Sequence, residues 1–273
     1  MDDNDYVLGR SDAEYDRLIE QAALMRPFTE RMLRVAGIGP GMHVLDIGCG
    51  MGDVSFLVSD LVGPEGSVVG IDLDGVAIRR ADERRAARGV SNVAFRQGDA
   101  RSVRSERLFD AAVGRFVLQF IRDPTPALRM IAECVRPGGI VAFHEGVAGI
   151  SPASSMNLPV LASLLHLIIE THERSGARMQ IGAELYGRMR DAGLEPDTRP
   201  PAEVPMCVGQ SETAFRRWSL MTRSILPKIV EYGLATEDAV LDIVERQLKA
   251  ELTHVEGLLP LHWLMIGQWA RKP

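Results

Sequence analysis

Lysine is almost missing from this chain: Lys228, Lys249 and Lys272 apart, every fixed cation is an arginine. Lys and Arg together number 31 against 37 Asp and Glu, a formal net charge of -6. That balance argues against a nucleic acid as partner, because phosphate contacts need clustered positive charge. The arginine-rich stretch from Arg79 to Arg107 is interleaved with Asp82, Glu83, Asp99 and Glu106, and reads as a solvated helix face. Cysteine is scarce as well. Cys49, Cys134 and Cys207 have neither CxxC nor CxxH spacing, which excludes a disulfide framework and a cysteine-ligated zinc, and points to a reducing, cytoplasmic location. His254 and His262 have no partner ligands at useful spacing, so no metal is expected. Long apolar runs are missing too. Gly146 to Ile169 carries no Asp, Glu, Lys or Arg, but Pro152, Asn157 and Pro159 interrupt it, leaving only Val160 to Ile169, too short to span a bilayer. The opening MDDNDYVLGR is acidic and has no apolar segment of the kind a secretory signal needs.

What is present is apolar mass: 46% of 273 residues, enough for a core without a staple. Ser11, Asp12, Ala13 and Glu14 have the form of a capping box, so a helix is expected from there to about Met25. Pro27 predicts a break or kink, with a second helix ending at Gly37. From Met42 the pattern alternates strand and helix. Strands are expected at Met42–Ile47, Ser67–Asp72, Asn92–Gln97, Phe109–Gly114 and Gly139–Glu145, with helices at Asp53–Val62, Asp74–Gly89 and Thr125–Val135. Strands this apolar, joined by crossover helices, predict an α/β fold with a doubly wound, mostly parallel sheet covered on both faces. Further on, helices are expected at Leu158–Arg174, Gly182–Ala192, Ser211–Tyr232 and Thr236–Leu252, and strands at Asp197–Val208 and Leu261–Ala270.

The most specific segment is Val44-Leu45-Asp46-Ile47-Gly48-Cys49-Gly50-Met51-Gly52, at a strand-to-helix junction. Glycines there let a ligand approach the backbone at the N-terminal end of a helix. Asp72 closes the second strand, where a carboxylate can accept from both hydroxyls of a ribose. Asp46 ahead of the loop, and GxGxG in place of GxGxxG, disfavour a pyrophosphate and suit a ligand bearing a cationic amino group.

From about Gly37 to Glu145 the sequence resembles the class I S-adenosylmethionine-dependent methyltransferases, in particular the bacterial small-molecule (ubiquinone and secondary-metabolite) branch. VLDIGCGMG matches their first motif, VVGIDLD their ribose-binding strand end, QGDA their adenine-edge loop, FDAAVGRFVLQFIRDP their fourth strand, and ALRMIAECVRPGG the entry to the fifth. The resemblance implies a seven-stranded Rossmann-like fold with N-terminal helices and a helical lid. It also implies S-adenosyl-L-methionine as cofactor and a small-molecule acceptor, with a homo-oligomer possible. It assigns Gly48 and Gly50 to the methionine part with Asp46 below them, Asp72 to the ribose, and Leu73 to the adenine face. Asp99 and the amide of Ala100 would serve the adenine edge, and the main chain of Arg115 the methionyl amino group. Residues 1–36 are then a helical cover, 37–146 the cofactor-binding core, and 147–273 the completion of the sheet with the lid, all in one integrated domain.

Methyl transfer needs donor and nucleophile aligned, and a base only where the nucleophile carries a proton. His144 and Glu145 end the fifth strand, at the edge where open α/β sheets bind ligands. His172 shares a helix face with Leu161, Leu165 and Ile168 and is a further base candidate, although a structural histidine fits that spacing too. Tyr6, Leu161 and Leu165 are candidate lining residues of the acceptor pocket. A nicotinamide-dependent oxidoreductase and a non-catalytic cofactor-binding protein are the alternatives.

Overall fold

The strands form because β-branched and other apolar residues, Val, Ile, Ala and Phe, fill most of their central positions. In a computed structural model describing residues 12–105, 107–153, 156–253 and 255–273, the chain runs α1 (Asp12–Ala36), β1 (His43–Ile47), α2 (Asp53–Val62), β2 (Ser67–Asp72), α3 (Gly75–Arg88) and β3 (Val93–Gln97). It continues through β4 (Phe109–Arg115), α4 (Pro124–Glu133), β5 (Val135–Val147), α5 (Pro159–Arg174) and α6 (Ile181–Asp191). After the short strands β6 (Glu195–Pro196), β7 (Ala202–Glu203) and β8 (Met206–Val208) come α7 (Ser211–Glu231), α8 (Glu237–Asp242), a π-helical stretch (Ile243–Leu248), α9 (Lys249–Thr253), β9 (Leu258–Pro260) and β10 (Leu264–Arg271).

The main sheet has the order β3-β2-β1-β4-β5-β10-β6, with β7 paired to β10 off that path. The pairs β1–β2, β2–β3, β1–β4 and β4–β5 are parallel, and β6 runs antiparallel to β10. Strand order reverses at β1, between β2 on one side and β4 on the other, which makes the loop after β1 the switch point where such sheets bind ligands. Alternate strand residues serve two helical layers. Val44, Val68, Ala111, Val113, Ile140 and Ala142 pack with residues of α1, α2 and α3, while Leu45, Ile47, Ile71, Ala112, Val141 and Phe143 pack with α4 and α6.

The chain divides into two compact units. The sheet unit comprises Met25–Glu145, Ile181–Ala202 and Ile266–Pro273, and the remaining described residues make a helical unit built on α5 and α7. In the helical unit Glu251 caps α5: its Oε1 accepts from the Val160 amide at 2.7 Å and its Oε2 from the Leu161 amide at 2.9 Å. A carboxylate there satisfies two free N–H groups and faces the positive end of the helix. No helix among the described residues is long and apolar enough to cross a membrane.

Four expectations are corrected. The N-terminal helices are one helix, α1, running through Pro27 to the positive-φ Gly37. Pro27 removes one hydrogen bond to Ala23, but both residues are exposed, so water can take the freed carbonyl. The strand expected over Asp197–Val208 is three short pieces, of which β8 leaves the main sheet and pairs with β9. The helix expected over Thr236–Leu252 contains the π-helical stretch. The last strand, expected from Leu261, starts at Leu264 as β10, and the unexpected β9 precedes it. Ser11 of the expected capping box lies outside the described residues, and the Glu14 side chain is gripped by Arg17.

Replacing Glu251 with Ala should lower unfolding stability by about 1 to 2 kcal/mol, the usual effect of losing a helix cap. Urea unfolding of the variant checks this, and an unchanged midpoint would contradict the capping role.

Candidate functional site

Parallel register brings five strand ends to one edge. Asp46 lies beside Gly70 and Val113, Asp72 beside Gln97, and Arg115 beside His144. The glycine loop bends by positive φ at Gly48 (65°) and Gly50 (51°). A Cβ added at Gly48 would come within 2.5 Å of Val117 Cγ2, so glycine there lets the loop after β4 close on the loop after β1. At Gly50 an added Cβ would meet nothing within 4 Å, which makes Gly50 the open side of the loop.

The Gly50 amide donates to Asp72 Oδ2 at 2.8 Å, and the Asp74 amide donates to Asp72 Oδ1 at 2.8 Å. A carboxylate oxygen can accept more than one hydrogen bond, and these two amides aim the group at the strand end. Leu73 beside it is 53% exposed, a large apolar side chain left bare at the strand end. Asp99 is held by Arg101 through both carboxylate oxygens, and this hydrogen-bonded ion pair lowers its pKa. Ala100 next to it is buried.

Asp46 is 1% exposed. Its Oδ2 accepts from Ser55 Oγ at 2.6 Å, while its buried Oδ1 has no hydrogen-bond partner. Burial raises its pKa to about 7, against the opposing pull of the Ser55 hydrogen bond and the Arg115 cation. A buried carboxylate oxygen left unpaired is costly, and a cationic or N–H donor brought beside it would remove that cost.

His144 and Glu145 are neighbours on β5 and therefore face opposite sides of the sheet. His144 shares a face with Ile140 and Ala142 and meets α1, where its Nδ1 lies 3.0 Å from Thr29 Oγ1. Arg115 Nη1 donates to the same Thr29 oxygen at 3.0 Å, and the Thr29 hydroxyl lies 3.1 Å from the Met25 carbonyl. One assignment satisfies all three contacts: the Thr29 hydroxyl donates to Met25, and both Arg115 and a protonated His144 Nδ1 donate to Thr29. Nε2 then carries the lone pair. Burial, with the Arg115 cation, pushes the His144 pKa down to about 3, so the ring is neutral at pH 7.

Glu145 faces the other way and is fully buried. Its Oε1 accepts from the amides of Val117 and Leu118, both at 2.9 Å, presented by a turn in which Phe116 has a positive φ of 56°. Burial raises its pKa to about 7, with those same amides opposing the shift. This geometry gives Glu145 the work of a clamp on the loop that closes over Gly48. His172, Leu161 and Leu165 belong to the helical unit. His172 Nδ1 donates to the Ile168 carbonyl at 2.8 Å, and burial lowers its pKa to about 4. Leu161 and Leu165 are buried in that unit. Tyr6 lies outside the described residues.

Sequence reasoning missed Thr29, Ser55 and Val117. Ser55 carried a readable signal, since it lies two residues into the helix that starts behind the glycine loop; Thr29 and Val117 are brought in by packing alone.

A model of the methyltransferase domain matches residues 38–192. The chain belongs to the methyltransferase domain family. Aklanonic acid methyltransferase DauC of a Streptomyces species is 32% identical over 139 residues, 50% of this chain and 62% of that protein. The ubiquinone/menaquinone biosynthesis C-methyltransferase UbiE of Shewanella sediminis is 29% identical over 198 residues, 67% of this chain and 79% of its own length. This methyltransferase-family chain thus spans about three-fifths of the first of these relatives. A crystal structure of a methyltransferase-like protein from Bacillus halodurans superposes with a TM-score of 0.61 at 16% identity, covering 89% of this chain and 97% of the other, a likeness of fold.

Replacing Asp46 with Asn should stabilise the ligand-free protein progressively as pH rises. The sign follows from the raised pKa: the unfolded chain gives up the Asp46 proton near pH 4 and the folded chain only near 7, so wild type loses stability across that window. The Asn variant has no such loss, and its advantage should grow by up to about 1.4 kcal/mol per pH unit in the window. Urea unfolding at pH 4 and pH 8 checks it; a constant difference would contradict the burial of an unpaired carboxyl.

Proposed function

We propose that the chain transfers the methyl group of S-adenosyl-L-methionine to a small-molecule acceptor of bacterial secondary metabolism. The observation that carries this reading is the buried Oδ1 of Asp46, without a hydrogen-bond partner among the described residues, on the strand that leads into the open glycine loop, with the doubly held carboxylate of Asp72 at the next strand end. An ammonium group suits the first oxygen and a pair of ribose hydroxyls the second. The bare Leu73 side chain suits the face of an adenine, with Asp99 and the Ala100 amide at its edge and the Arg115 main chain toward the methionyl group. The cofactor, once bound, supplies an electrophilic methyl on a sulfonium.

The chain's own part is to bind and orient. Asp46 draws a cation toward the sheet edge, Asp72 fixes the sugar, and Glu145 holds the loop after β4 against Gly48. Where the acceptor's attacking atom bears a proton, neutral His144 is the residue to take it on Nε2, because the Thr29 contact fixes Nδ1 as the protonated nitrogen. Glu145 faces away and keeps its clamping role. Acceptor choice is assigned to the helical segments after Val147.

The experiment is a thermal-unfolding comparison with S-adenosylmethionine and with NAD, since a ligand selective for the native state raises its stability by RT ln(1 + [L]/Kd). S-adenosylmethionine should raise the midpoint and NAD leave it unchanged, and Asp72→Ala should weaken cofactor binding by roughly 1.5 to 3 kcal/mol. A response to NAD alone would overturn the reading and favour an oxidoreductase. Cofactor binding without incorporation of labelled methyl into any candidate acceptor would favour a binding protein.

A further inference from the structure

In the helical unit, two guanidinium groups converge on a single neutral acceptor. Arg17 Nη1 donates to Gln21 Oε1 at 2.8 Å, and Arg217 Nη2 donates to the same oxygen at 3.2 Å. Arg17 is otherwise neutralised: Glu14 takes its Nε at 2.7 Å and its Nη2 at 2.6 Å. Among the described residues, no acid is hydrogen-bonded to Arg217. Glu20, further along α1, is held by the exposed Arg216. Arg217 Nε and Nη1 are both buried and without a hydrogen-bond partner. The group is costly to leave so, and burial together with the neighbouring Arg17 lowers its pKa to about 9.

The unused donors form a recognisable shape. Gln21 occupies one of the two hydrogens on Nη2. Whichever it takes, the other lies parallel to Nε–H or to an Nη1 hydrogen, and the pair presents the two-toothed edge that grips a carboxylate. Arg217 also lies 5.5 Å from the Trp218 ring centre, and Trp218 lies 6.3 Å from Trp263. Trp263 is buried with an unpartnered indole N–H of its own, packed on Gly146 immediately after Glu145. The same unit thus holds a second unsatisfied donor suited to an oxygen.

We propose that Arg217 is the receptor, within the helical unit, for the carboxylate of a small organic acid. The proposal rests on Arg217 and its surroundings alone and stands independently of the methyl-transfer reading. The test uses the full chain without cofactor and two probes of one shape, benzoate and its neutral twin benzamide, followed by tryptophan fluorescence and thermal unfolding. Wild type should bind benzoate at least about tenfold more tightly than benzamide, as a charge-assisted two-bond contact requires. Arg217→Met should reduce benzoate to the level of benzamide without lowering the ligand-free midpoint, because it removes an uncompensated buried charge. Arg217→Lys should retain charge selectivity at weaker affinity. Equal binding of the two probes by wild type, full benzoate binding by Arg217→Met, or a lowered midpoint in that variant would each overturn the proposal, the last by showing Arg217 to be structural. S-adenosylhomocysteine affinity, measured on the same samples, should be the same in wild type and Arg217→Met. Failure of wild type to bind it, with benzoate selectivity intact, would overturn the methyl-transfer reading and leave the carboxylate site standing.

Discussion

The site depends on one carboxylate held in place by two backbone amides. Asp72 receives Gly50 on one oxygen and Asp74 on the other, and so fixes the loop after β1 to the end of β2 across the point where the sheet reverses order. Parallel register does the rest, because it carries Asp46, Arg115 and His144 to the same edge without any loop having to find them. The complementary tie is Glu145, which pins Val117 and Leu118 and thereby holds Val117 against Gly48. The two loops that frame the edge are each secured by an acid from a neighbouring strand.

Around this frame the chain keeps polar groups that are expensive in isolation. Asp46 and Glu145 each bury one unpaired oxygen, and Arg115 and His144 meet on a single threonine hydroxyl. Stability alone would replace such groups with apolar ones. Their arrangement on the two faces separates their tasks: Asp46, Arg115 and His144 share the α1 face, and Glu145 stands alone on the α4 face. In the helical unit the same logic applies to Arg217, whose Nε and Nη1 are buried without a hydrogen-bond partner among the described residues.

Much of this was legible in the sequence. The strand and helix rhythm from Met42 to Glu145 could be read because buried parallel strands are nearly all apolar and their helices carry caps such as Asp74. The GxGxG loop and Asp72 were readable from spacing. Pro27 misled because a proline breaks a helix only where its lost bond cannot be met by water, and exposure is not written in local sequence. The short strands after α6 lack the apolar alternation that marks longer ones, so their division between two sheets was hidden. Thr29 and Val117 were hidden for another reason, since their roles come from distant segments meeting. The opposed directions of His144 and Glu145 follow from strand alternation, but which face meets α1 does not.

The most direct measurement is a crystal structure of the chain soaked with S-adenosylhomocysteine. The account predicts its amino group within hydrogen-bonding distance of Asp46 Oδ1 or one bridging water away, its ribose hydroxyls on Asp72, and its adenine over Leu73. Ligand density elsewhere, or an amino group remote from a still unpaired Asp46 Oδ1, would contradict it.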